Sequence, residues 1–408
     1  MVCWLLIRPQ TGVSLQFALN PEQILLKESV DKWLHERYGA RQSRLYRSTP
    51  EGYSRENWSA MAALGVLALP FASEDGGLNA GPKEMITVME SMGRSLAVEP
   101  MLEKVVWAAG LFARAGTTQQ KTQWLPRVMD GTAHMALAHF EHAARFNARH
   151  VRVRATAHPG GTRLDGEKSM VPFAGSADLW LVSAQGQNTS TEPHSIDFHL
   201  VSPDAGGIER RDFRLTDGTV ASSITFRDTP TSGHLPHGAE AFDLVFDAAR
   251  LAAGAQMLGI MSTMYDSSLD YLRNRRQFGA PIGSFQAIQH RMADLYISLE
   301  QSRSLVYRAA LTFDSPGRRT LEVAGMKSYL SGAAVALGEE CVHLHGAMGM
   351  TDELDIGIGF KRLLVLAAFL GDCDDELSRF TRLSCEADRV QSAARMGAQT
   401  DGFQGKSN

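Results

Sequence analysis

The chain has 408 residues, more than one ordinary hydrophobic core organises, so two or three domains are expected. Its 41 Lys and Arg against 45 Asp and Glu leave a formal charge of −4 at pH 7, which argues against a nucleic-acid partner, since that needs a basic surface patch. Four cysteines (Cys3, Cys341, Cys373 and Cys385) show no CxxC spacing, which excludes a disulfide framework and fits reduced thiols in a cytoplasmic enzyme.

In chain order, residues 1–15 hold a short apolar patch at 2–7 but neither a basic leader nor a cleavage site, so they read as a disordered extension. No apolar run reaches the roughly 18 residues of a membrane span, and no membrane partner is expected. Residues 16–131 read as a helical domain. Asn20-Pro21-Glu22 is a cap with proline in the first turn, leading into Ile24, Leu25, Val30, Trp33 and Leu34. Trp58, Leu64 and Leu67 form a second apolar stretch ended by Pro70, and Glu74 to Leu78 is a turn-rich loop. Helices are expected at about 83–97, 101–114 and 119–129.

The pattern changes near Thr132. Val151, Val153 and Ala155 alternate with Arg152, Arg154 and Thr156, as Ile196, Phe198 and Leu200 do with polar residues. A period of two is strand, and Gly and Pro clusters at 159–161 and 204–207 mark turns. A small antiparallel β domain at 132–238 is the simplest assembly. Beyond it, amphipathic helices at about 241–276, 285–313, 320–345 and 357–370 make a four-helix bundle domain at 239–395, before a disordered tail at 396–408. The fold class is α+β, in the order helical domain, β domain, helical bundle.

The stretch from Tyr271 to His290 joins the first two bundle helices. Leu251, Ala255, Leu258, Tyr265, Leu269 and Leu272 trace the apolar face of the first. Gly279 and Pro281 stop it, and Arg273, Arg275 and Arg276 crowd its last turn, where cations complement the helix dipole. As a local feature this is a basic C-cap. Its residues, Arg-x-Gln-Phe-Gly at 275–279 and Phe-Gln-x-Ile-Gln at 285–289, resemble a motif of the acyl-CoA dehydrogenase superfamily. The resemblance runs from about Phe17 to Phe380. It implies FAD as cofactor, an acyl-CoA substrate, electron-transfer flavoprotein as acceptor, and an arm reaching the ADP half of a neighbouring chain's FAD. Arg275, Gln277, Phe278 and Gln286 are the matching residues. A guanidinium offers a rigid donor fork to pyrophosphate oxygens. His343, Gly346 and Gly349 match a loop where family backbone approaches the adenosine.

The chemistry implied is removal of the α proton by a carboxylate while the β hydride passes to the flavin. Most of the family carry that base nineteen residues after the Thr of a Gly-x-Thr-Asp-Glu turn. Here the turn is 349–353, and the count lands on Leu370. Other members place the base before the Arg of Phe-Asp-x-x-Arg, which here is 246–250 with Ala249 at the base position. Neither side chain abstracts a proton. Asp372, two residues beyond Leu370, is a relocated base or a helix N-cap. Asp247 and Arg250 touch CoA or cap the helix start. The flavin loops depart too. Phe140 to Asn147 keeps only a Glu and an Ala of the family's pattern, and Pro172 replaces the threonine that addresses the flavin ring. His134, His139, His142 and His150 read as packed or surface histidines before metal ligands.

An intact arm beside an eroded ring seat resembles the small subunits of heteromeric acyl-CoA dehydrogenases, such as that of pimeloyl-CoA dehydrogenase and the α2β2 enzymes of sterol side-chain degradation. In those a homologous large subunit carries the base. Two functions follow: a subunit catalytic with its partner, or a redox-inactive structural or CoA-binding subunit.

Overall fold

Asn20 opens the first helix: its side chain accepts from the N–H of Gln23, and Gln23 Oε1 accepts in turn from the N–H of Asn20. From this capping box the computed structural model describes residues 18–185, 196–351 and 353–404. The extension expected at 1–15 and the end of the tail at 405–408 lie outside the described residues. Helices α1 (Pro21–Arg37), α2 (Ala40–Ser48), α3 (Arg55–Ala63) and α4 (Pro82–Arg94) lead to a π-helical stretch, Met101–Ala109, that runs into α5 (Gly110–Ala115). Helix α6 (Thr118–Met129) closes this part with a second capping box, Thr117 with Gln120.

The middle is an eight-stranded sheet. Its strands are β1 (Met135–Ala138), β2 (Arg154–His158), β3 (Gly161–Pro172), β4 (Leu179–Gln185), β5 (Ile196–Val201), β6 (Ile208–Arg214), β7 (Val220–Pro230) and β8 (Gly233–Leu235). Most neighbours are antiparallel, in the order β6-β7-β3-β2-β4-β5-β8, but β1 and β2 each pair with β4 in parallel. Strands β1, β4 and β5 are buried on both faces, whereas β2 and β6 are largely exposed. Phe198 and Leu200 join the helical core, while Trp180, Val182 and Phe226 form a second apolar cluster on the other face.

The helical bundle follows: α7 (Gly238–Asn274), α8 (Gln286–Leu311), α9 (Pro316–His345), α10 (Asp355–Ala368) and α11 (Cys373–Gln404). Helix α11 runs past the expected break at 395, since no proline interrupts 373–404. Sequence periodicity predicts one apolar face for α7, whereas the structure buries it almost all round. By length and composition α7 could cross a membrane, yet 89% of its most apolar window is buried by its neighbours. Small residues permit the approach of α4. A Cβ on Gly259 would lie 2.1 Å from the carbonyl oxygen of Glu90, and one on Gly93 would lie 2.2 Å from that of Gln256.

Two buried cations tie the three parts together. Arg362 of α10 donates to Asp217 Oδ2 and Glu103 Oε1, each at 3.0 Å, and to Gln256 Oε1 at 3.0 Å. Lys104 donates to Tyr53 Oη at 3.1 Å and Ser176 Oγ at 2.9 Å, with its ammonium 4.7 Å from the centre of the Tyr53 ring. Burial pushes the Lys104 amine down to about 7.

Candidate functional site

The arm begins where α7 ends. After Asn274 the chain turns through a two-stranded hairpin, β9 (Arg276–Gln277) and β10 (Ala280–Pro281), where sequence spacing reads only a helix cap and loop. Phe278 at φ +52° and Gly279 at φ +83° make the two-residue turn, a geometry that glycine takes freely and phenylalanine takes with strain. The Phe278 ring is 93% exposed and meets the Phe285 ring edge to face at 6.3 Å. Arg275, Gln277 and Gln286 are exposed on the same arm. Tyr271 stacks on His345 at 4.4 Å, which seats the arm's root against the turn His343 to Gly349. In that turn His343 Nδ1 lies 2.8 Å from Arg291, Gly346 has φ +63°, and a Cβ on Gly349 would lie 2.6 Å from the Val342 carbonyl. All seven residues expected at a cofactor therefore gather at one end of the bundle, six of them exposed and Gly349 buried.

The two base positions converge in the interior. Arg250 Nε donates to the Leu370 carbonyl at 3.0 Å, which brings Ala249 and Leu370 to one place. Both are buried and apolar, with Leu370 held at φ +60° ahead of Gly371 at φ +121°. Asp247 and Arg250 are buried as well and are consumed by this chain. Asp247 accepts from Arg379 and Thr320, each at 2.8 Å, and Arg250 ion-pairs with Glu376 at 2.7 Å. Neither side chain is open to a CoA in this arrangement. Lys327 donates to the carbonyls of Ala367 and Gly371, each at 2.8 Å, and burial lowers its amine to about 7. Asp372 Oδ1 accepts from the N–H groups of Asp374 and Asp375 at 3.0 and 2.9 Å, which makes it the N-cap of α11.

The flavin loops bind each other. Phe140 O accepts from Ser169 N at 2.8 Å. Lys168 is fully buried and reaches Glu141 at 2.7 Å, Ser183 Oγ at 2.8 Å and the His139 carbonyl at 3.2 Å. Glu141 also accepts from the N–H groups of Arg152 and Val153. Pro172 of β3 pairs with Ala221 of β7, beyond a bulge near Met170, which has φ +49°. Tested against the flavin that the motif implies, the arm fits its pyrophosphate end. The ring loops do not fit its ring, because their polar groups are spent on one another.

Sequence reading missed what fills the space between. Trp107 packs against Phe140 at 5.4 Å, Phe246 at 5.6 Å and Phe369 at 5.2 Å, so one ring joins a flavin loop to both base segments. Phe246 and Phe369 stood beside the base positions in sequence, but nothing local marked Trp107. A cavity of about 170 Å³ lies elsewhere, lined by His35, Tyr38, Arg94 and Asp355 among others. The histidines separate. His134 packs on Trp58 and Tyr53, whereas His139 packs on Phe246 with Nδ1 3.1 Å from Ser183 Oγ, and burial holds each ring down near 3.

Comparison with known proteins places these features in context. The family described as "Acyl-CoA dehydrogenase, N-terminal domain" matches residues 20–132, and "Acyl-CoA dehydrogenase, C-terminal domain" matches 237–377. The chain is similar to mitochondrial isovaleryl-CoA dehydrogenase of Bos taurus, at 27% identity over 360 residues, 83% of this chain and 82% of that protein. A solved variant of the Tcur3481-Tcur3483 steroid ACAD aligns with a TM-score of 0.81 at 26% identity, covering 90% of this chain and 99% of that one. The ChsE4-ChsE5 complex from Mycobacterium tuberculosis shares the fold, with a TM-score of 0.81 at 24% identity over 91% of this chain and 99% of that one.

Proposed function

Because the chain belongs to the acyl-CoA dehydrogenase family, we propose that it is a subunit of a flavin-dependent acyl-CoA dehydrogenase and completes the FAD site of a homologous, unlike partner in an α2β2 assembly. The observation that carries this is the contrast between its two ends. The arm of Arg275, Gln277, Phe278 and Gln286 stands open to solvent, while Leu370 and Ala249 leave its own interior without a base. Likeness to a steroid ACAD named for two proteins supports an unlike partner.

FAD, when bound, supplies the hydride acceptor for the substrate β-carbon. This chain contributes positioning. Arg275 would hold the pyrophosphate through its guanidinium fork, Gln286 would hold the adenosine side, and Gly346 and Gly349 would let backbone come close. The α proton goes to a glutamate of the partner, and electron-transfer flavoprotein is the acceptor that the family implies. The reading as a CoA-holding subunit draws no support from Asp247 and Arg250, which are paired inside this chain.

Co-expression with a homologous dehydrogenase chain that has Glu at a base position tests the reading. Sedimentation should show a heterotetramer that holds flavin and oxidises an acyl-CoA, a steroid side-chain thioester being the first to try. Arg275→Ala should weaken flavin binding roughly ten- to a hundred-fold, the effect of losing one charge-assisted contact of about 1.5–3 kcal/mol. A soluble homotetramer that ignores its sister and holds one FAD per chain would falsify the proposal.

A further inference from the structure

We infer that this chain's own reaction centre is sealed, so that each pair of unlike subunits carries a single flavin, in the partner's centre. The inference rests on the subunit reading above and deepens it.

Three sets of contacts make the seal, and each uses groups that an open centre would need free. The first stitches the ring loops together: Ser169 N donates to Phe140 O, and Lys168 bridges Glu141, Ser183 and the His139 carbonyl. A flavin ring between those loops would have to break a fully buried ion pair of 2.7 Å. The second is the aromatic plug. Trp107 contacts Phe140, Phe246 and Phe369 at 5.2 to 5.6 Å between ring centres, and Phe246 stacks in turn on Phe242 at 4.1 Å. Cofactor and substrate sites are ordinarily clefts of about 300–1,000 Å³, and here that position is occupied by rings. The third fixes the segment at the base position from beneath. Arg250 holds the Leu370 carbonyl, and Lys327 holds those of Ala367 and Gly371. Missing catalytic groups alone would leave an empty pocket. These contacts fill the space as core, with Glu141 and Lys168 paired inside it.

The test is a flavin count on the assembled complex, taken from the absorbance of flavin released by denaturation against the amount of each subunit. One flavin per unlike pair is expected. Two per pair would overturn the seal and leave the partner reading standing. If the chain instead purifies only with itself, the partner reading falls, and the count still decides: no flavin sustains the seal, one per chain overturns it. Lys168→Met separates structure from cofactor contact. A lowered thermal midpoint with the count unchanged at one per pair is expected, whereas loss of flavin from a folded complex would mean that Lys168 serves the cofactor. Should that variant fail to fold, the wild-type count alone decides.

Discussion

At the scale of the residue, Lys104 shows what burial does to a charge that the fold keeps. Its amine is pushed down to about 7, with desolvation as the largest cause. Unfolded, a lysine titrates near 10.4. Between those values the unfolded chain binds more protons than the folded one, so stability rises as pH climbs from about 7 towards 10, by up to about 1.4 kcal/mol per pH unit. Lys168, lowered to about 8, and Lys327 act in the same direction. Lys104→Met should remove its share of the slope in urea titrations at pH 7 to 9.5, and parallel profiles for the two proteins would contradict this. How far a residue's role can be read from sequence depends on what it touches. Leu370 and Ala249 stand out only through the resemblance, which leads to an acid at each position where the sequence has an aliphatic side chain. Asp372 was ambiguous, since an aspartate serves as a base or a cap, and only its bonds to Asp374 and Asp375 settle the geometry. Trp107 was silent, because its partners lie far away in sequence.

Elements were legible where their signal is local. Capping at Asn20 and the 3.6-residue periods of the bundle placed helices close to the observed Gln286–Leu311 and Asp355–Ala368. Two features needed the third dimension. The hairpin at the arm has strands of two residues each, too short for any period. The full burial of α7 follows from its alanine- and glycine-rich surface, which reads as weakly apolar until α4 closes on it. That crossing makes a sharp prediction. In Gly259→Ala the new methyl would meet the Glu90 carbonyl at 2.1 Å, and since the carbonyl is backbone and a Cβ has no torsion to turn, neither rotates away. A loss of about 1–3 kcal/mol is expected in denaturant unfolding. An unchanged midpoint would show that α4 and α7 shift apart easily.

For the whole molecule, the order of helices, sheet and helices was legible from the switch of period, but the parallel pairing of β1 and β2 with β4 was not, since register between distant strands leaves no local trace. Arg362 is the corresponding energetic feature. It joins α10 to Glu103, to Asp217 beside β7 and to Gln256 of α7, with both carboxylates buried. Replacing it by methionine would strand two anions in the interior. Breaking a buried pair typically costs about 3–5 kcal/mol, so Arg362→Met should lower the unfolding midpoint steeply and loosen the three parts together. Retention of wild-type stability would mean that water reaches Glu103 and Asp217.

The aromatic plug has one further consequence. Trp107, Phe140, Phe246 and Phe369 come from four separate segments, and each now supports the others. On the subunit proposal, independent activity in this chain would require an acid at 370 or 249, a donor in place of Pro172 and the withdrawal of several rings at once. Any one of these changes made alone loosens the interior and restores no chemistry. On the subunit proposal, a single substitution therefore returns no activity to this chain, and only changes made together in all four segments would.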